Sequence, residues 1–415
     1  MMVQAVAPDR TSVSALQRVA DLEEKIRLGG DQAQELRRVP DDLIDVLVDH
    51  GFFRFTLPTE LGGEDASVLE TIAVLEAISA IDASIGWNVM LGSEINAMAA
   101  GGMPKHLAQQ VYVENPRVVM CGGGGPGSKP AYAKKQSDGS YKVWGETTFI
   151  SGCHNSTWCF MGAVIVDDTS SPVLNAQGEP QVKMWFLHRS QWEIVDTWDC
   201  AGLRGSGSHN VRTEGGIVEP QWLDVDLMKT PALYDNPVFR IPVPLRLSYN
   251  KVAIALGIAK GALATFSDVA NHKVPMMSAV KLAERPLAQF RMGEMTGKYR
   301  AARAYVVEAM SAVEEELRAG AESPSSETTV NARLACTYAA QTCCEVVDQV
   351  HIACGTSASY MTNPLERQLR DAHGAASHRW VASPLYEPLG GILFGQAPDA
   401  EFSGTGGPVL GGLKK

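Results

Sequence analysis

The sequence predicts an α+β chain that is mostly helical: an N-terminal α-helical domain over residues 1–116, a central β-barrel or sandwich over 117–228, a C-terminal four-helix bundle over 229–400 and a Gly-rich tail over 401–415. Three observations carry this. Apolar residues recur at helical spacing through the first hundred positions. From about Val118 the runs shorten, are bounded by glycine and fill with Val, Tyr, Trp and Thr, as strands do. After "TPALYDNPVFRIPVP" the helical pattern returns and lasts almost to the end.

In order along the chain, "PDDLIDVLVDHGFF" carries Leu43, Val46 and Leu47 on one face and stops at Gly51. "SVLETIAVLEAISAI" and "ASIGWNVMLGSEINAMAA" form a second helical pair. Strand texture begins in "CGGGGPGSKPAYAKKQSDGSYKVWGETTFISG" and continues through "STWCFMGAVIVDD" and "KMWFLHRSQWEIVDTWD" to "GGIVEPQWLDVDL". "NKVAIALGIAKGALATFSDVA" is apolar nearly all round, as a helix inside a bundle is, and Met292, Met295, Tyr299, Ala302, Val306 and Val313 stripe the next one. These stripes read as core. "RAGAESPSSETT" is a polar break, "VNARLACTYAAQTCCEVVDQVHIACG" ends at Gly355, and "NPLERQ" starts the last helix with Asn363 as cap, Pro364 in the first turn and Glu366 as reciprocal capping partner.

Composition sets limits on function. The chain has 415 residues, 45% hydrophobic and 20% charged, with a net charge of -11. That balance, without a Lys/Arg cluster, argues against nucleic-acid or anionic-membrane partners. No secretory leader and no run of about 18 apolar residues is evident, so a cytoplasmic location is expected. The eight cysteines include no C-x-x-C pair and read as buried reduced thiols rather than as metal ligands. "CGGGGPGSKP" is neither a Walker loop nor a strand–GxGxxG–helix unit, since strand texture follows it.

Four landmarks are more specific: "GLRGSGSHNV" after "DTWD", "ALGIAKGAL", "QFRMGEM" and "PLERQLRDA". Their order and spacing, from roughly Leu36 to Ser383, resemble the acyl-CoA dehydrogenase superfamily. That resemblance implies the three-part fold, a flavin and a homotetramer. Dehydrogenases of this fold need a carboxylate to take an α-proton from an acyl-CoA thioester. It usually follows the "RD" of the last helix by eight positions, where this chain has Arg379, or lies early in the first bundle helix, where no Asp or Glu stands between Asp235 and Asp268. In place of a Thr and Glu before the Pro-Gly of the glycine loop, Gly124 and Gly125 occur.

His378, seven positions after Asp371, matches the histidine of the flavin-dependent monooxygenase branch, which includes hydroxyphenylacetate and steroid-ring hydroxylases. An imidazole with an ordinary pKa of about 6.5 can deprotonate a phenol there. His373 lies about 140° away on a helix and reads as surface. In "TFISGCHNSTW" the resemblance places Phe149 and Ser151 beside the flavin ring, Ser151 near N5, with Gly127 approaching the cofactor. It further implies that Arg285, Gln289, Gly355, Thr356 and Ser357 reach flavin across a subunit interface and that Trp87 and His378 line the substrate pocket. The expected function is the oxygenase component of a two-component monooxygenase. It takes FMNH2 or FADH2 from a separate flavin reductase, adds O2 to give a C4a-hydroperoxyflavin, and hydroxylates an aromatic or phenolic small molecule. An acyl-CoA dehydrogenase or oxidase, and a non-catalytic binding protein on the same fold, are the alternatives.

Overall fold

The structure, a computed structural model, describes residues 13–123, 130–176, 178–227 and 233–397. Helices α1 (Ala15–Asp21), α2 (Glu23–Leu36), α3 (Asp41–Asp49), α4 (Val68–Ile81), α5 (Ala83–Gly102) and α6 (Lys105–Tyr112) make the N-terminal part. Ser67 and Glu70 close a reciprocal capping box that starts α4. Asp82 then breaks the helix in extended backbone and accepts from the Ile85 N–H, so α5 restarts at a sharp corner. Nearly every side of α5 is buried, because it runs between the other two parts of the molecule.

The middle of the chain is a curled seven-stranded sheet of β1 (Met120–Gly123), β2 (Ala131–Lys135), β3 (Tyr141–Ile150), β4 (Trp158–Val166), β5 (Val182–His188), β6 (Glu193–Val195) and β7 (His209–Val218). β1 and β2 run parallel to successive halves of β4, with Met120 opposite Trp158 and Ala131 opposite Ala163. β5 pairs antiparallel with β4, and β3 joins β2 to β7. The β3–β7 register slips between Thr147 and Ile150, and Phe149 inside that slip has φ 59°. Left-handed backbone at a bulky residue is strained. Here it turns Phe149 out to solvent while Ser151, two residues on, turns in.

The C-terminal part is a bundle of α7 (Val243–His272), α8 (Pro286–Arg318), α9 (Ser326–Cys354) and α10 (Pro364–Ala376), with α11 (Tyr386–Leu393) against α9. Two expectations change at α10. Asn363 caps it through the Leu365 N–H, but Glu366 does not reach back to the cap. Its carboxylate binds the Arg370 guanidinium one turn on at 2.7 Å, the stronger charge-assisted partner. The helix also ends at Ala376, so His378 sits in the turn beyond it and the angular argument from His373 does not apply. His373 is exposed and pairs with Asp348 at 2.9 Å. The eight cysteines are all free, and most are buried. One helix among the described residues, α7, is long and apolar enough to cross a membrane, although no uninterrupted apolar run announces it; most of it is buried inside the bundle.

α7 can lie against α4 because Gly257 and Gly261 offer bare backbone. A Cβ at Gly257 would stand 2.5 Å from the Ser79 Cβ and 2.6 Å from the Glu76 carbonyl oxygen, and one at Gly261 2.5 Å from the Ala80 carbonyl oxygen. Gly257→Ala should therefore lower unfolding free energy by about 1–3 kcal/mol, overriding the intrinsic helix preference for alanine. Urea denaturation measures it, and a variant as stable as the parent would show that the two helices have room to part.

Candidate functional site

Three of the residues singled out by sequence meet where the helical parts and the sheet join. Trp87, from the first half of α5, donates its indole N–H to the Ser151 hydroxyl at 3.1 Å. Its ring also meets the His378 imidazole edge to face, centroids 5.5 Å apart. Ser151 Oγ lies 2.6 Å from Ser208 Oγ, which lies 2.7 Å from Ser206 Oγ. A hydroxyl has one proton to give and two lone pairs. Trp87 occupies one lone pair, and when Ser208 donates to the other the Ser151 proton is left to be donated elsewhere. Phe149 stands next to this cluster on the exposed side, 70% accessible, with Trp198 edge-on at 6.2 Å. Two backbone N–H groups, of Thr197 and Trp198, donate to His209 Nδ1 and hold the Trp198 turn in place.

His378 is half-buried as a residue. Burial, followed by the positive charges of Lys251 and Arg379, pushes its pKa down to about 3. This corrects the expectation of an ordinary imidazole: with its pKa held this low, the ring is neutral at physiological pH. The Trp380 N–H approaches its Nδ1 at 3.4 Å.

The remaining predicted residues lie elsewhere. Arg285 caps α8, Gln289 donates to the Ala283 carbonyl, and Gly355 to Ser357 form the turn after α9. Lys273, at the end of α7, reaches the Ser357 hydroxyl at 2.8 Å. From Lys251 to Lys273 is roughly 30 Å along α7, so one protomer does not bring this group to Ser151 and His378. Gly127, with Gly124 and Gly125, lies outside the described residues. Sequence reasoning missed Ser206 and Ser208, although both stand inside the "GLRGSGSHNV" landmark. It also missed Glu94 and Lys251, whose signal was a charge inside an otherwise apolar helix.

Comparison with known proteins identifies the family. Residues 17–105 match the acyl-CoA dehydrogenase N-terminal domain and residues 250–383 the acyl-CoA dehydrogenase C-terminal domain. An indole-3-acetate monooxygenase of Pseudomonas putida is 32% identical over 375 residues, 90% of this chain and 92% of that one. The chain belongs to the acyl-CoA dehydrogenase family. The FADH(2)-dependent resorcinol hydroxylase, oxygenase component, of a Rhizobium species is 27% identical, spanning 97% of this chain and 99% of its own. XiaF from a Streptomyces species, solved in complex with FADH2 and glycerol, shares the fold with a TM-score of 0.83 at 21% identity, covering 94% of this chain and 96% of its own. Within the acyl-CoA dehydrogenase family this chain is an oxidoreductase of the monooxygenase branch.

The family's dehydrogenase position is occupied accordingly. Arg379 stands there, its guanidinium 4.8 Å from the Trp380 ring centroid. The Asp of "RD" has a structural task instead. Asp371 is buried and accepts the Leu203 N–H at 2.6 Å, tying α10 to the turn that leads into Ser206 and Ser208. Burial, helped by the Asp82 charge and opposed by the Leu203 N–H, Arg367 and Arg370, pushes its pKa up to about 7. A carboxyl raised in the folded state stabilises fully below the ordinary carboxylate range, and that contribution is lost as pH rises through about 7. Asp371→Asn keeps an acceptor for Leu203 without the charge, so its stability relative to the parent should climb between about pH 4 and pH 7 and level off above. Urea midpoints at pH 5, 6, 7 and 8 test this; a constant difference would show that Asp371 does not titrate there.

Proposed function

We propose that this chain is the oxygenase component of a two-component monooxygenase that inserts one oxygen atom into an aromatic small molecule, using FMNH2 or FADH2 delivered by a separate flavin reductase in the cytoplasm. The observation that carries the reading is the Trp87–Ser151–His378 cluster, against which no carboxylate bonds or packs among the described residues. Arg379 occupies one dehydrogenase position, residues 236–267 contain no acid, and Glu94, the carboxylate this region does hold, is bound by Lys251 and Asn250. Relatives named for indole-3-acetate, resorcinol and p-hydroxyphenylacetate support an aromatic substrate.

The residues present fit a flavin. An accessible aromatic ring held on strained backbone, beside a hydroxyl in a chain of three serines, suits a flat heteroaromatic ring with polar edges. Phe149 and Ser151, with Gly127, would hold its ring end. Arg285, Gln289, Gly355, Thr356 and Ser357 would hold the nucleotide end of a flavin bound mainly by a neighbouring subunit of a homotetramer. Their surroundings support this: Met276, Met277, Leu287, Phe290, Tyr360 and Met361 are exposed in the same segments, an apolar surface that suits burial against another copy. Reduced flavin, when bound, supplies the two electrons that let one atom of O2 enter the substrate and the other leave as water.

Around that chemistry the chain's own groups have separate tasks. Ser151, polarised through Ser208 and Ser206, presents an O–H. Trp87 walls the site and fixes Ser151. Neutral His378 accepts or donates a hydrogen bond to the substrate without adding charge to an apolar pocket.

Two outcomes follow. His378→Ala should cut product formation by about 10²–10³, the cost of one preorganised hydrogen bond, and divert oxygen to H2O2, with flavin binding and thermal midpoint unchanged; product and peroxide measured on one sample check it, and full coupling in the variant would remove His378 from the site. With the pKa of His378 near 3, kcat/KM between pH 5.5 and 8 should show no inflection that disappears in His378→Gln. Oxygen uptake with reductase-supplied flavin, set against acyl-CoA oxidation with an artificial electron acceptor, separates the monooxygenase from a dehydrogenase; acyl-CoA oxidation would overturn the proposal.

A further inference from the structure

Cys344 and Asp348 stand one turn apart on α9 and so share a face. His373, in the last turn of α10, meets them from across the gap, its Nε2 2.9 Å from Asp348 Oδ1. The Cys344 sulfur joins the pair: one ligand atom from each of the three residues lies within 4.8 Å of the other two. Cys344 and Asp348 are partly buried and His373 is exposed, so the group can be reached from solvent. None of the three belongs to the Trp87–Ser151–His378 cluster.

The group opens onto a cleft of about 490 Å³ that Gln341, Ser377 and Ser383 also line. Its walls are pinned. Gln341, on α9 three residues before Cys344, donates through Nε2 to the Ala376 carbonyl at 3.0 Å and the Val381 carbonyl at 3.1 Å. Glu345, on the same rim, is held by Lys298. The separation of α9 from the end of α10 is therefore fixed, and donors from two helices converge before any ligand arrives.

A sulfur, an imidazole nitrogen and a carboxylate oxygen form a donor set that zinc accepts, whereas calcium and magnesium take oxygen alone. A tetrahedral zinc holds such atoms about 3.4–3.6 Å apart. The His373–Asp348 contact opens slightly to meet that, and the sulfur moves by about 1 Å, within reach of side-chain rotation. On ligation the thiol proton passes to solvent, and the thiolate and carboxylate together balance a 2+ charge. The fourth position faces the cleft and its water. No C-x-x-C spacing announces this group, because the third donor comes from another helix.

We propose that Cys344, Asp348 and His373 form a site for a zinc-type divalent cation that clasps α9 to the last turn of α10.

The probes are Co2+, whose thiolate complexes absorb in the near ultraviolet, and Zn2+, added to the metal-free, untagged full chain. Co2+ should bind one equivalent per chain with a thiolate charge-transfer band, and Zn2+ should displace it. Loss of an outer partner alone costs about 10–100-fold in metal affinity. Cys344→Ala and His373→Ala should therefore each weaken Zn2+ binding by more than about tenfold, and the band should vanish in Cys344→Ala. Zn2+ should raise the thermal midpoint of the parent and not of the variants, because only the folded parent brings the donors together. Should Cys344→Ala fail to fold, His373→Ala, a change at an exposed side chain, decides alone. No uptake by the parent, uptake without the thiolate band, or the same Zn2+ affinity in folded His373→Ala overturns the site.

Discussion

The contact of α4 with α7 sets the geometry of everything else. At Gly257 and Gly261 the α7 backbone lies where side chains would collide with the Glu76 and Ala80 carbonyl oxygens. Helices that approach this closely have little freedom to slide, because a shift of a few ångströms would bring side chains into those gaps. Since α5 continues from α4 through the Asp82 corner, fixing α4 on α7 also fixes α5. The Trp87 and Glu94 face is thereby presented to α7 and to the turn after α10, and the sheet closes over it from the other side.

Polar groups placed on this rigid seam have unusual properties for one reason, the scarcity of water. Glu94 and Lys251 are each driven towards their neutral forms by burial and held back by the other's charge. The imidazole of His378 has no comparable anion beside it, so burial and two nearby cations depress its pKa. Asp371 moves in the opposite direction, since burial and Asp82 act together on a carboxyl whose compensation is one backbone N–H and two arginines. A neutral imidazole, a run of three serine hydroxyls and a charge-balanced ion pair make a cluster whose own groups are polar and carry no anion free to act as a base. Such a site suits an uncharged aromatic ring better than a thioester needing proton abstraction.

The order of helices, sheet and bundle was legible because its signals are local. Apolar spacing, glycine-bounded strands and capping residues depend on neighbours within a few positions, and Ser67, Asp82 and Asn363 cap as their types suggest. The Glu366 expectation failed because two acceptable partners were in reach, and a guanidinium one turn on outweighed a neutral N–H. The end of α10 before His378 failed for a related reason: nothing in "GAASHRW" distinguishes one more helical turn from the turn that the packing imposes.

The sequence by itself determined the architecture, the lack of an acid at both dehydrogenase positions, and the histidine, serine and tryptophan that gather at the seam. Tertiary structure alone decided their chemical state. Whether His378 carries a proton, which way the Asn250 amide turns, and whether Asp371 is a reactive acid or an anchor for Leu203 all depend on groups more than a hundred residues away: Lys251 for the first, Glu94 for the second, and Leu203 with Asp82 for the third. Charge and hydrogen-bond energies depend on distance and solvent exclusion in three dimensions, and sequence separation specifies neither.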